Sequence, residues 1–152
     1  MFFAGHALRF QSRPEQHFSL MIFMSKSPKQ PNVRTRIIVA DDEPLIATTL
    51  VEILEIKGFD AEAVSDGVAA VERARRIRPD ILLSDVQMPK MNGIQAAKKI
   101  REFLPNCRIV LLSGHAATGE LLERARAEGH KFEILTKPID PQDLLSALRH
   151  QI

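Results

Sequence analysis

From Arg36 onward the chain alternates short apolar runs with amphipathic stretches, and the alternation repeats five times. The first run, Ile37–Ala40 (IIVA), reads as a buried strand. Pro44 then opens a helix, where its missing N–H costs nothing, and Leu45, Thr49, Leu50, Ile53 and Leu54 follow at helical spacing. Gly58 closes that helix as a C-terminal cap, and Phe59–Val64 forms a second short strand. Asp66 is a good N-cap for a helix over Gly67–Ile77, with Val68, Val71 and Ala74 on its apolar face and Pro79 as its stop. Ile81–Ser84 (ILLS) is a third strand. Past Pro89, Gly93 opens a helix that places Ile94, Ala97, Ile100 and Leu104 on one side. Arg108–Leu112 is a fourth strand, followed by a helix over Thr118–Glu128 that carries Leu121, Leu122 and Ala125 and is capped by Gly129. Phe132–Thr136 is a fifth strand, and Pro141–Gln151 a last helix with Leu144, Leu145 and Leu148.

Five β-then-α units predict an α/β domain over residues 36–152, its parallel sheet covered on both faces. Upstream, residues 1–35 hold no sustained period and contain Pro14, Pro28 and Pro31. Ser25–Thr35 is polar, basic and proline-punctuated, so residues 1–35 are expected to be a disordered basic extension. Met24 directly precedes that stretch and offers a second candidate start beside Met1.

Charge divides at the same boundary. Residues 1–36 hold six basic side chains against one acidic, Glu15, whereas residues 37–152 hold 15 basic against 18 acidic. The folded part is mildly acidic, which argues against nucleic-acid binding by it. No apolar run approaches the ~18 residues that span a bilayer. Phe18–Met24 (FSLMIFM) is too short and lacks a small-residue cleavage site after it. Amphipathic docking of that segment on a membrane surface is the sharper alternative. One cysteine, Cys107, rules out an internal disulfide and fits a reducing compartment, and so a cytoplasmic location.

In parallel α/β sheets ligands bind beyond the C-terminal ends of the strands. There this chain places Asp41, Asp42 and Glu43 after the first strand, Asp85 at the third, Ser113 at the fourth, and Lys137 and Pro138 after the fifth. Singly, each has a plain structural explanation as a cap or a solvated group. Together they suit phosphoryl transfer. Packed carboxylates repel one another and call for a hard cation such as Mg²⁺. A lysine and a hydroxyl can then steady phosphoryl oxygens, and a carboxylate can be the nucleophile. The five His are scattered, with no metal-ligand spacing.

Four strings carry a specific likeness: Ile38-Val39-Ala40-Asp41-Asp42-Glu43-Pro44, Asp85-Val86-Gln87-Met88-Pro89-Lys90-Met91-Asn92-Gly93, Leu111-Leu112-Ser113-Gly114-His115, and Leu135-Thr136-Lys137-Pro138. In order and spacing, residues 36–152 resemble the receiver domain of two-component response regulators, of the single-domain chemotaxis type. The resemblance implies a flavodoxin-like (βα)5 three-layer sandwich with a parallel five-stranded sheet of order 2-1-3-4-5. It implies that Asp85 accepts the phosphoryl group, that Asp41, Asp42, Asp85 and the backbone carbonyl of Gln87 hold Mg²⁺ (with Mn²⁺ as a substitute), that Ser113 is the switch hydroxyl, and that Lys137 contacts the phosphoryl group. It also implies a cis bond between Lys137 and Pro138.

The expected partners are a sensor histidine kinase or histidine phosphotransfer protein, and a downstream protein on the face made by the fourth helix, fifth strand and fifth helix. A weak homodimer is allowed. The chain has room for only one helix after Pro138, so the expectation is a stand-alone phosphoacceptor switch rather than a conventional enzyme. One departure stands out. Ile134 lies where the family usually has Tyr or Phe, and Phe132 is the nearby aromatic of the same strand parity. Two other readings compete. A haloacid-dehalogenase-like phosphatase would carry a second Asp where Gln87 stands, and a phosphorylation-independent binding module would lack one of the site residues.

Overall fold

The computed structural model describes residues 33–114 and 118–150. The expected N-terminal extension, its Phe18–Met24 segment and the alternative start therefore lie almost wholly outside the described residues. From Arg34 the chain forms one compact unit. Its elements are β1 (Arg36–Ala40), α1 (Pro44–Ile56), β2 (Asp60–Val64), α2 (Gly67–Ile77), β3 (Ile81–Asp85), α3 (Gly93–Phe103), β4 (Arg108–Ser113), α4 (Thr118–Ala127), β5 (Glu133–Thr136) and α5 (Pro141–Arg149). The five strands are all parallel, in the order β2-β1-β3-β4-β5. This is the flavodoxin-like arrangement that the family resemblance implies.

Strand side chains alternate between the two faces of the sheet, and the core divides accordingly. Ile37, Val39, Ile81, Leu83, Val110 and Leu112 pack with Leu50 and Leu54 of α1 and Leu144 and Leu148 of α5. Ile38, Ala40, Leu82, Ile109 and Leu111 pack on the opposite face with Ala70 and Ala74 of α2, Ile94, Ala97 and Ile100 of α3, and Ala125 of α4. Strands buried on both faces have no polar side to alternate with, which is why β1, β3 and β4 read as unbroken apolar runs.

One helix end matches its sequence signal, and a second carries a cap that the sequence reading did not name. Asp66 caps α2, its carboxylate accepting from the Ala69 N–H at 2.8 Å. Asn92 and Gln95 form a reciprocal capping box at the start of α3. The apolar stripe of α1 differs from expectation. Its buried residues are Ala47, Leu50 and Leu54, while Leu45 is 80% exposed and Thr49 also faces outward. Leu45 and Thr49 each lie two residues from Ala47, about 200° around the helix at 3.6 residues per turn. A helix with apolar residues on more than one side does not announce which side is inward, and here a small residue, Ala47, marks it. Elsewhere boundaries move by a residue or so: β5 begins at Glu133, leaving Phe132 in the preceding loop.

Arg108, at the start of β4, ties three elements together. Its Nε and Nη2 donate to Glu133 Oε2 of β5 at 3.2 and 2.6 Å, Nη1 donates to the Leu148 carbonyl at 3.1 Å, and Nη2 also reaches the Ala147 carbonyl. Beside it Cys107 is buried, and burial pushes its thiol up to about 11. Among the described residues no helix is long and apolar enough to cross a membrane.

Candidate functional site

The parallel order brings the C-terminal ends of β1, β3, β4 and β5 to one edge. Asp41 follows β1 directly, its own N–H donating to the Val64 carbonyl of β2 at 3.2 Å. Asp85 is the last residue of β3, in register with Leu112 of β4. Lys137 follows β5, and its N–H donates to the Ser113 carbonyl at 2.8 Å. The Lys137–Pro138 peptide is cis.

Asp41, Asp42 and Asp85 each place a carboxylate oxygen within 4.8 Å of the others. Asp41 and Asp85 are buried, whereas Asp42 is exposed. Lys137 Nζ bridges the two buried acids, donating to Asp41 Oδ2 at 3.2 Å and to Asp85 Oδ2 at 3.1 Å. Partial burial by itself would lower the Lys137 pKa. The hydrogen bond and charge of Asp85, joined by those of Asp41, outweigh it, so the ammonium is held charged above its ordinary range.

The remaining oxygens are oriented by backbone. Asp41 Oδ1 accepts from the Glu43 N–H at 2.9 Å, and Asp85 Oδ1 accepts from the Gln87 N–H at 3.3 Å. Three carboxylates face one ammonium, leaving an excess of negative charge. The donors are all oxygen, and two are buried, which fits a small hard dication. The exposed Gln87 follows Asp85 by two residues, so its backbone belongs to the same edge.

The loop after Asp85 folds back tightly on it. Gly93 N–H donates to the Val86 carbonyl at 2.9 Å, and a Cβ on Gly93 would stand 2.0 Å from the Asp85 carbonyl oxygen. Only glycine permits that return. The loop is also docked on the start of α2. Gly67 N–H donates to the Met91 carbonyl at 3.2 Å, and Lys90, in the left-handed region at φ 65°, pairs with Asp66 at 3.2 Å. An open cleft of about 530 Å³ leads to Asp85 and Lys137 between α1 and the segment after β5, with Ile46, Leu50 and Ile139 as its apolar wall.

Ser113 ends β4 half-buried, and its hydroxyl is hydrogen-bonded to that of Thr118, the first residue of α4. Sequence reasoning therefore named the residues at this edge but missed two supports. One is Thr118, which reads simply as a helix start. The other is the Asp66–Lys90 pair, whose members are 24 positions apart with nothing local to link them. On the side toward α4, Phe132 and Ile134 line one hollow with Leu122 and Arg126. Phe132 is half-buried beneath the Arg101 guanidinium, 4.9 Å above its ring.

Comparison with known proteins agrees with this geometry. The family model described as "Response regulator receiver domain" matches residues 37–149. The chain is 32% identical over 114 residues to the chemotaxis protein CheY of Thermotoga maritima, covering 74% of this chain and 93% of that one. It is 32% identical over 120 residues to the DNA-binding response regulator MtrA of Mycolicibacterium smegmatis, covering 79% of this chain but only 51% of MtrA, so it spans about half of that relative. Among solved structures, a response regulator receiver domain protein from Clostridium thermocellum superposes with a TM-score of 0.69 at 29% identity, covering 76% of this chain and 92% of that one.

Proposed function

The chain belongs to the response-regulator receiver family, and on that premise we propose that it accepts a phosphoryl group on Asp85, in a Mg²⁺-dependent reaction, from a histidine kinase or histidine phosphotransfer protein. The observation that carries this reading is the convergence of Asp41 and Asp85 on the Lys137 ammonium, with Asp42 beside them. Members of the family are signalling proteins rather than conventional enzymes. This reading takes residues 36–152 as a cytoplasmic receiver domain that follows a basic extension and passes its signal on by contact with another protein.

The steps follow from the side chains. A carboxylate oxygen of Asp85 attacks phosphorus, an O–P bond forms, and the bond from phosphorus to the donor nitrogen breaks, its electron pair leaving with the imidazole. Asp41, Asp42, Asp85 and the backbone carbonyl of Gln87 would hold the dication, which when bound neutralises charge on the phosphoryl oxygens. Lys137 already lies within reach of Asp85 and turns from carboxylate to phosphoryl oxygen. Ser113 donates its hydroxyl proton to another phosphoryl oxygen. Ile46, Leu50 and Ile139 give the donor an apolar wall to lie against.

Acetyl phosphate with Mg²⁺ tests the assignment. The protein should gain one phosphoryl group, labile to hydroxylamine as an acyl phosphate is, and Asp85→Asn should gain none. Full labelling of Asp85→Asn would defeat the proposal. Millimolar Mg²⁺ should also raise the melting temperature by mass action on the charged cluster, and Asp42→Ala should weaken that response while leaving the fold intact.

A further inference from the structure

Among the described residues, two that are not glycine have positive φ. Arg78 is the C-cap of α2, where left-handed backbone is ordinary. Lys90, at φ 65°, stands in the loop from β3 to α3, five residues after Asp85. It is the middle of a three-residue turn in which the Met91 N–H donates to the Pro89 carbonyl at 2.7 Å. A Cβ makes that backbone costly, so a side chain stays there only where its surroundings over-determine it.

Those surroundings are the start of α2. The Met91 carbonyl accepts from the Gly67 N–H at 3.2 Å, and a Cβ on Gly67 would stand 2.2 Å from that oxygen, so only glycine admits the loop this closely. Beside it Lys90 Nζ reaches Asp66 Oδ2 at 3.2 Å. Asp66 is 6% exposed and divides its carboxylate between two tasks: Oδ1 caps α2 through the Ala69 N–H, and Oδ2 faces Lys90. The Lys90 side chain is 69% exposed, so the pair is a weak bond by itself, but it acts on a strained turn.

The loop is thus fixed at two places. Near Asp85, the Gly93 N–H closes it on the Val86 carbonyl, and at its tip Lys90 and Met91 hold it to α2. Gln87 lies exposed between these anchors. Neither Lys90 nor Asp66 belongs to the carboxylate cluster of Asp41, Asp42 and Asp85.

We propose that Lys90 is a positioning residue: its ion pair with Asp66 clips the loop to α2 and thereby fixes the Gln87 backbone carbonyl for the cation. The positioning role rests on the reading of that carbonyl as a Mg²⁺ ligand; the clip does not. Cation affinity then depends on a pair of side chains that contribute no ligand.

Two variants break the pair from opposite ends. Lys90→Met keeps the stem and loses the charge. Asp66→Asn loses the charge and keeps a good N-cap. Amide exchange without Mg²⁺ tests the clip: both should speed exchange at Gly67 and Met91 by about two- to fivefold, the value of one exposed ion pair, with Ala69 unchanged. Wild-type exchange at Gly67 and Met91 in both variants would overturn the clip. Calorimetric titration with Mg²⁺ tests the positioning role. A plain charge effect has opposite signs in the two, because losing the Lys90 charge favours a dication and losing the Asp66 charge disfavours it. A positioning role has one sign: both variants should bind Mg²⁺ about two- to fivefold more weakly, and Lys90→Arg should restore affinity and exchange together. Unchanged or tighter binding in Lys90→Met would overturn the positioning role. A wild type that binds no Mg²⁺ would overturn the metal reading and the positioning role with it, while the exchange arm still decides the clip.

Discussion

The two sides of the site edge are built to different standards. Around Asp85, every residue of β3 is buried, as are four of five in β1 and five in α3. On the far side, β5 alternates between half-buried and exposed residues, and α4 buries two. Both sides contribute to one charge cluster, through Asp85 on the dense side and Lys137 on the sparse one. Phosphoryl chemistry needs its carboxylates within a fraction of an ångström of their working positions, whereas a reporter needs elements that one or two hydrogen bonds can shift. On the proposed reading, these demands fall on different strands of one sheet.

The largest effect that would test this contrast is in β3. Leu83→Ala, at a fully buried position, should cost about 2–5 kcal/mol in urea unfolding, while Leu122→Ala in α4, only half-buried, should cost about 1 kcal/mol. Equal costs would mean that the sparse side is better packed than its exposure shows.

Arg108 comes next, because it is the strongest polar tie that the sparse side has. Arg108→Met keeps much of the stem but removes the bonds to Glu133 and to the Ala147 and Leu148 carbonyls. It should cost about 1.5–3 kcal/mol, with the loss concentrated in exchange of β5 and α5 amides. A loss spread evenly over β1 and β3 would contradict the division.

Asp66→Ala should cost about 1 kcal/mol as a lost N-cap, and the cost should depend on pH. Donation from the Ala69 N–H, with Lys90 adding to it against a smaller effect of burial, holds the Asp66 carboxyl below its ordinary range. A lowered folded pKa contributes stability that is complete above the ordinary carboxylate range and is lost as pH falls through the folded value. The gap between wild type and Asp66→Ala should therefore close in acid, and a constant gap down to strongly acid pH would rule out the charged cap. The smallest effect is at Ile134, 44% exposed on β5. Ile134→Ala should change stability by less than about 0.5 kcal/mol, as surface substitutions usually do.

The same contrast governs how much could be read from the chain in advance. Periodicity placed all ten elements and the residues at the strand ends, because the core strands carry long apolar runs and the cap at Asp66 is local chemistry. It failed on α1, where Leu45 and Ala47 compete for the inward side and only tertiary packing decides. It also missed every support that joins distant segments: Thr118 to Ser113 across a loop, Lys90 to Asp66, and Arg108 to the end of α5. Hydrogen-bond pairing between side chains leaves no period in a sequence.

Cys107 gives this protein a built-in clock. Its thiol lies at the foot of β4, 5% exposed and held protonated at neutral pH by burial, with Sγ 3.7 Å from the Arg108 carbonyl. Alkylating reagents attack thiolate that they can reach, so labelling has to wait for the core cluster around it, which α3 and Ala125 of α4 share, to open. Pulse alkylation read by mass would thus time openings of this core without any engineered probe. A protein whose phosphorylation leaves Cys107 unlabelled would be one whose signal travels through a frame that remains shut.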